Sequence, residues 1–432
     1  ALEAAAQAAG CRALLIIDAL NEGMGRHLWP NHLAAFLTRL ERSPWIGVVL
    51  SVRSSYEEVV IPEEIRKRAV RIIHVGFAEH EYDAVRTFFT HFGLELPSAP
   101  ILIPEFSNPL FLKMLCSGLQ EKGKRRMPRG FHGITKLYEL FLDAANSRLA
   151  RELDFDPGDR LVHKALDKLS ETLAQQEQRF LPRENAKVLI NSLLPGRDFS
   201  RSLFRGLIVE GLLIEEMLEI NGQREDVVLI AYERLADHLI VKHLLDKYLD
   251  AEAPARAFQK GGPLGFLQDP SRHVPLGLLE ALCIQVSERT GKEILELAPS
   301  LKGQGWPVGH AFRQSLIWRD KGAFSDTTQK ILRELIKTED ELHETLDVLL
   351  TIAILPEHPL NAAFLDKVLR KYSMPDRDTW WSTYLHYAYS SDYPAAVHSL
   401  LDWVLAIKPN QALEDDVIDL CSTTLAWMLT TS

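Results

Sequence analysis

Five apolar residues, Ala13 to Ile17, run without a break into Asp18 and then "ALNEG". An uninterrupted apolar run of this length predicts a strand buried on both faces, as in a parallel sheet, and not one with a wet side. Such a strand commits the chain to helical layers above and below it. The next hundred residues agree. "NEGMGRHLWP" leads to a helix with Leu33, Phe36, Leu37 and Leu40 at helical spacing, with Asn31 as its expected cap. "WIGVVLSVR" predicts a second buried strand ending at Arg53, and "AVRIIHV" (69–75) a third. "EHEYDAVRTFFTHFG" is a helix with Tyr82, Val85, Phe88, Phe89 and Phe92 on one face and Gly93 as its stop. Strands alternating with helices predict a three-layer α/β sheet over residues 1–107.

From Asn108 onward the pattern is helical, with one exception. In "LLIEEMLEINGQREDVVLI" (212–230) Asn221-Gly222 separates two extended runs, a strong hairpin signal. A helix, "RSLFRGLIVEG", precedes it and another, "ERLADHLIVKHLLDKYL", follows. That order is the end of a winged helix, expected over 199–250 after a helical subdomain at 108–198. Beyond the Gly/Pro-rich "EAPARAFQKGGPLG", amphipathic helices succeed one another near 275–290, 307–318, 325–337, 341–354, 361–371, 379–389, 394–407 and 415–429. They keep no fixed period, so residues 251–432 fit an irregular α-solenoid.

Composition excludes some classes. A net charge of −10 gives no footprint for nucleic acid or an anionic membrane. No apolar run approaches the roughly 20 residues of a membrane helix, and no signal peptide is present, so a cytoplasmic location is expected. The four cysteines, without a CxxC pair, are expected as buried apolar residues in a reducing compartment. "ALEAAAQAAG" has the pattern of a helix tail capped by Gly10. The last residues stop directly after an apolar helix, so the chain is expected to be an internal piece of a longer protein.

A hydrophobic strand ending in Asp, with a second acid just past it, matches the second half of a P-loop nucleotide site. Asp18 would hold Mg²⁺, a hard cation that takes carboxylate oxygen. Glu22 would orient the attacking water, because phosphoryl transfer is catalysed mainly by positioning and charge stabilisation. The carboxyl edge of an open α/β sheet is where ligands bind, and Arg53 at the same edge can touch a terminal phosphate. The plain alternative is that a buried strand simply ends on an Asp that caps the next helix.

"LLIIDALNEG", "WIGVVLSVRSSYEEVVIP", "FSNPLFLKMLC", "AYERLADHLIVKHLL" and "SMPDRDTWWSTYL" occur in this order. Together they resemble the bacterial STAND-class NTPases of the antiviral Avs (AVAST) group, relatives of NACHT ATPases. The resemblance implies a Walker B strand with Asp18 on Mg²⁺ and Glu22 as the catalytic acid, and a sensor arginine at Arg53. It also implies that Pro109 packs near the adenine of ATP. Asn21 stands where many NACHT proteins carry a second aspartate. Tyr232 stands where related ATPases often carry a histidine that reads the β-phosphate, with His238 six residues on. By the same resemblance a phage protein would trigger the chain through its helical C-terminal region. A homo-oligomer would then form and activate an N-terminal effector, commonly a nuclease.

The only approach to a phosphate loop is "GLQEKGKR" (118–125). It lacks the final Ser/Thr and follows a helix in place of a strand, which makes it a chance match. The true loop is expected upstream of Ala1, so this chain alone would bind nucleotide poorly. "KGKRRMPR" (122–129) has the charge for a nucleic-acid contact, but a solvated helix end is the favoured expectation. "HEYDA" and "HETLD" lack the second histidine of a metalloprotease helix. Trp380, Trp381, Tyr384, Tyr387, Tyr389 and Tyr393 would form part of a partner-binding face if exposed, but helix packing is the favoured expectation. A rival from another class is an interaction scaffold on an inactive NTPase core. A DNA-binding regulator is disfavoured by the acidic hairpin (Glu215, Glu216, Glu219, Glu225, Asp226).

Overall fold

The computed structural model describes residues 2–21, 25–74, 76, 77, 80–95, 104–125, 133–220, 222–269 and 274–335, with 341, 344, 345 and 348. The helices expected after residue 341, the motif at 373–385 and the aromatic stretch at 380–393 lie outside or almost wholly outside these residues, as does Glu22.

In chain order, α1 (Leu2–Ala9) leads to β1 (Ala13–Ile17), α2 (Gly25–Leu40) and β2 (Ile46–Leu50). Three helices follow: α3 (Glu57–Val60), α4 (Glu63–Arg68) and α5 (Glu81–His91). Next come α6 (Pro109–Glu121), α7 (Ile134–Leu153), α8 (Leu161–Gln176), β3 (Leu181–Pro182) and α9 (Arg183–Asn191). Then α10 (Leu203–Val209), β4 (Leu213–Ile220), β5 (Gln223–Ile230) and α11 (Glu233–Tyr248) realise the helix–hairpin–helix order. After α11 the described residues form α12 (Ala255–Phe258), α13 (Leu276–Thr290), α14 (Ile294–Leu297), α15 (Trp306–Ser315) and α16 (Asp326–Glu334). The fold is mixed α/β and mostly helical, with one small parallel sheet. No helix among the described residues is long and apolar enough to cross a membrane.

Two compact units divide the chain. The first comprises Ala1–Val75, Phe180–Ala186 and Leu213–Leu229; the second comprises Gly76–Arg179, Lys187–Leu212 and Ile230–Ser432. The division cuts the 1–107 segment after residue 75 and takes the hairpin out of the 199–250 segment.

In the first unit β1 and β2 pair in parallel, Ala13 opposite Ile46 through Ile17 opposite Leu50. Ile17 and Leu50 turn inward onto a core of Leu20, Leu33, Tyr56 and Val60, to which α2 also contributes Trp29 and Phe36. Burial on both faces is not what this sheet shows. Leu14 and Ile16 are 61% and 63% exposed, because helices cover only one face among the described residues. The expected third strand is likewise corrected. Residues 70–74 join no ladder, and Val70 and Ile72 stand exposed there. Helix α2 begins six residues before Asn31, which therefore lies inside it and not at its cap; the Asn31 amide bonds the His27 carbonyl at 3.4 Å. The helix carries Pro30 in its interior, where a ring without an N–H removes one backbone bond. Leu33, fully buried, and Trp29, partly buried, pack that stretch of the helix onto the core. Strand β5 is central in the second sheet, order β3-β5-β4. Gly222 takes φ +77° at the hairpin turn, a region glycine enters without a Cβ clash.

In the second unit α6 packs on α7, α7 on α8, α8 on α11, α11 on α13 and α13 on α15. Helices α11 and α13 are enclosed all round over 235–241 and 281–287. Gly118 of α6 allows a close approach: a Cβ there would meet Leu140 Cδ2 of α7 at 2.5 Å. That glycine belongs to the false phosphate loop, which is thus a helix end whose Gly123 takes φ +63°. Cys116 and Cys283 are buried as expected, whereas Cys11 is exposed at the turn before β1.

Candidate functional site

Asp18 is the first residue past β1, and the backbone holds it there by continuing the ladder beyond the strands. Ser51 N donates to Ile17 O at 3.0 Å, and Leu20 N donates to Ser51 O at 2.9 Å. Ser51 Oγ accepts from Ala19 N at 2.7 Å and donates to Asp18 Oδ1. Ala19 takes φ +54°, a left-handed conformation that costs a residue with a Cβ about 1 kcal/mol or more. The turn it makes buries Leu20 and leaves Asp18 exposed.

Asn21, three positions after Asp18, is buried, and its Oδ1 accepts from Arg53 N at 3.1 Å. Asn21 therefore ties the end of β1 to the end of β2. Asp18, Asn21 and Arg53 meet at one carboxyl edge. The fourth expected member, Glu22, lies outside the described residues.

The Arg53 guanidinium reaches Glu216 of β4 at 3.1 Å. The hairpin is held to the sheet at further points: Asp226 takes Arg26 at 2.7 Å and the Tyr56 hydroxyl at 3.3 Å, and Glu215 takes Arg183 at 2.5 Å. Burial, reinforced by the Asp226 charge, pushes the Tyr56 phenol up, so it stays a donor. The acidic hairpin is thus not a free repelling surface. Three of its carboxylates neutralise arginines 32 to 200 residues away. Pairing over such distances leaves no local pattern for a sequence to display.

The remaining predicted residues belong to the second unit. Pro109 opens α6, its missing N–H harmless in a first turn, while the Asn108 side chain caps Leu110 N and Phe111 N at 2.9 and 3.2 Å. Tyr232 precedes α11 and is buried, its ring 6.0 Å from Phe111 and 6.2 Å from Tyr138. His238 is buried edge-on to Tyr138 at 5.1 Å, and its Nε2 has no hydrogen-bond partner among the described residues. Burial, followed by the positive charges of Arg289, Arg234 and Lys242, pushes this imidazole down to about 3. A neutral, enclosed ring cannot supply positive charge to a phosphate. As for DNA, α10 buries Leu203, Phe204, Gly206 and Leu207 of its seven residues, so little of it is open to a groove.

The His238 environment makes stability pH-dependent. In the unfolded chain the imidazole titrates near 6.5, so between about 6.5 and about 3 only the unfolded state takes the proton. Stability therefore falls as pH drops through that window, by about 1.4 kcal/mol per unit, or about 2 kcal/mol at pH 5. Denaturant titrations between pH 7 and 4.5 should show this slope in the wild type and a flatter one in His238→Leu.

No family model matches this chain, and no curated protein matches it.

Proposed function

We propose that this chain is the central part of a STAND-class signalling NTPase in antiphage defence. The distal half of a P-loop sheet would bear the nucleotide half-site, followed by a helical subdomain, a winged helix and a solenoid sensor. The observation that carries the reading is the gathering of Asp18, Asn21 and Arg53 at the carboxyl edge of two parallel strands. Asp18 suits a divalent cation: it is exposed, held at one oxygen by Ser51, and on the strand edge where such ions are bound. Mg²⁺, when bound with ATP, supplies charge neutralisation to the phosphates. Asn21 fixes the Arg53 backbone, Arg53 would face the terminal phosphate, and Glu22 would polarise water. Recognition of a phage protein by the helical C-terminal region would favour the ATP-bound, oligomeric state, which then activates an effector in the cytoplasm. Such a switch needs each ligand to bind one state better than the other.

These 432 residues contain no phosphate loop, so the test uses the longest reading frame that includes Ala1. That protein should bind ATP in a Mg²⁺-dependent manner, with Asp18→Ala weakening binding at least tenfold and Glu22→Gln binding without hydrolysis. Equal binding by wild type and Asp18→Ala would defeat the reading. One observation favours a second reading, a helical interaction scaffold on an inactive core: Arg53 already faces a protein carboxylate, Glu216. On that reading the extended protein ignores ATP.

A further inference from the structure

Away from the sheet edge, α7 and α8 bring together three groups that the nucleotide reading does not use. Glu139 and Asp143 are four residues apart on α7 and so share one helix face. His163 sits in the first turn of α8 and faces them, its Nε2 3.3 Å from Asp143 Oδ1 and 3.6 Å from Glu139 Oε2. One ligand atom from each of the three lies within 4.8 Å of the others.

The histidine is the informative member. It is only 7% exposed, yet neither ring nitrogen has a hydrogen-bond partner among the described residues. At 3.3 Å the Asp143 oxygen is close to Nε2 but off the line a hydrogen bond requires. Buried polar atoms are almost always satisfied, so a ring set beside two carboxylates without a hydrogen bond to either one calls for a third party between them.

The loop that places it is tied to α7. Asn146 donates to Pro157 O at 2.9 Å and accepts from Val162 N at 3.2 Å, clamping the start of α8 against α7. The carboxylates are part-exposed, so an ion has a way in.

We infer that Glu139, Asp143 and His163 form a binding site for a divalent transition metal, Zn²⁺ before others. One imidazole with two carboxylates and an open fourth position suits Zn²⁺, while Mg²⁺ and Ca²⁺ prefer all-oxygen shells. In the structure a protein cation stands at this position. Arg160 NH2 lies 3.0 Å from Glu139 Oε2 and 3.5 Å from Asp143 Oδ1, and Lys122 Nζ is 3.4 Å from Asp143 Oδ2. Arg160 is half-exposed and can swing out. Metal and guanidinium therefore compete for the same oxygens.

That competition gives a test that runs in both directions and needs no nucleotide. The chelator-treated chain is titrated with Zn²⁺ by calorimetry and with Co²⁺ by its visible absorption. His163→Gln and Asp143→Asn should each weaken binding at least tenfold and remove the Co²⁺ band. Arg160→Ala, by deleting the competitor, should tighten binding about tenfold. Mg²⁺ in excess should not displace the ion. If His163→Gln fails to fold, the part-exposed Asp143→Asn and Arg160→Ala still decide. Absence of binding in the wild type and in Arg160→Ala, or an affinity that none of these changes moves, overturns the inference. The cluster would then be an ion-pair network centred on Arg160.

Discussion

Replacing Glu293 with alanine should destabilise the helical unit by about 3–5 kcal/mol, the cost of leaving a buried charge without its partner. The Arg319 side chain is 0% exposed and that of Glu293 2% exposed. Arg319 NH1 donates to both carboxylate oxygens at 2.7 and 2.8 Å, while its Nε and NH2 donate to Ser315 Oγ at 3.1 and 2.8 Å. Its guanidinium also lies 5.0 Å from the centre of the Phe312 ring. Glu293 has other partners too. It caps α14 reciprocally with Glu296, accepts the Thr328 hydroxyl from α16, and so joins three consecutive helical segments. Truncating it strands a guanidinium in the core without its countercharge. The double change Glu293→Leu with Arg319→Met should recover most of the loss, because a buried ion pair often breaks even against well-packed apolar groups. Glu63→Gln is the control. Its exposed pair with Lys67 should matter by no more than about 0.5 kcal/mol. Urea denaturation followed by circular dichroism reads all three, and a loss below about 1 kcal/mol for Glu293→Ala would mean that water reaches Arg319.

The range of each interaction decides whether the sequence displays it or hides it. The turn at Gly222, the stop at Gly93, the strand ending on Asp18 and the helix of 276–290 are set by residues a few positions apart, and all are legible. The exposed face of β1 is not. Five apolar residues report that both faces can be buried, not that covering layers are present. The run at 69–75 fails for the same reason: Val70, Ile72 and Ile73 have strand chemistry, but a strand needs a partner, and none pairs with it among the described residues. Local rules also misplaced the start of α2, because a Pro at position 30 signals a boundary unless apolar neighbours override it. At the candidate site, Asp18, Asn21 and Arg53 were marked by strand edges. Their connections through Ser51 and Glu216 are tertiary and carry no periodic signal. The same holds for His163, an ordinary residue in an amphipathic helix until α7 sets two carboxylates before it.

Should the nucleotide reading hold, Arg53→Ala in the extended protein should lower kcat by about a thousandfold, the scale at which a phosphate-facing arginine contributes to transfer. The loss should fall on kcat more than on KM, since such a guanidinium acts mostly on charge that develops in the transition state. Arg53→Lys should restore little: a point charge does not reproduce a planar fork. The contact with Glu216 makes a second, opposite expectation. That carboxylate draws the guanidinium toward β4, and both side chains are part-exposed, so the attraction is moderate. A triphosphate carries more negative charge than one carboxylate and should win Arg53 at a cost in affinity. Glu216→Gln removes the competing charge while keeping the shape, so ATP should bind several-fold tighter and turnover should rise. The pair of variants separates two roles for one ion pair. If Arg53→Ala loses turnover and Glu216→Gln gains it, the hairpin restrains a catalytic arginine. If both leave hydrolysis intact and both lower the unfolding midpoint, the contact is a structural tie and Arg53 takes no part in the chemistry.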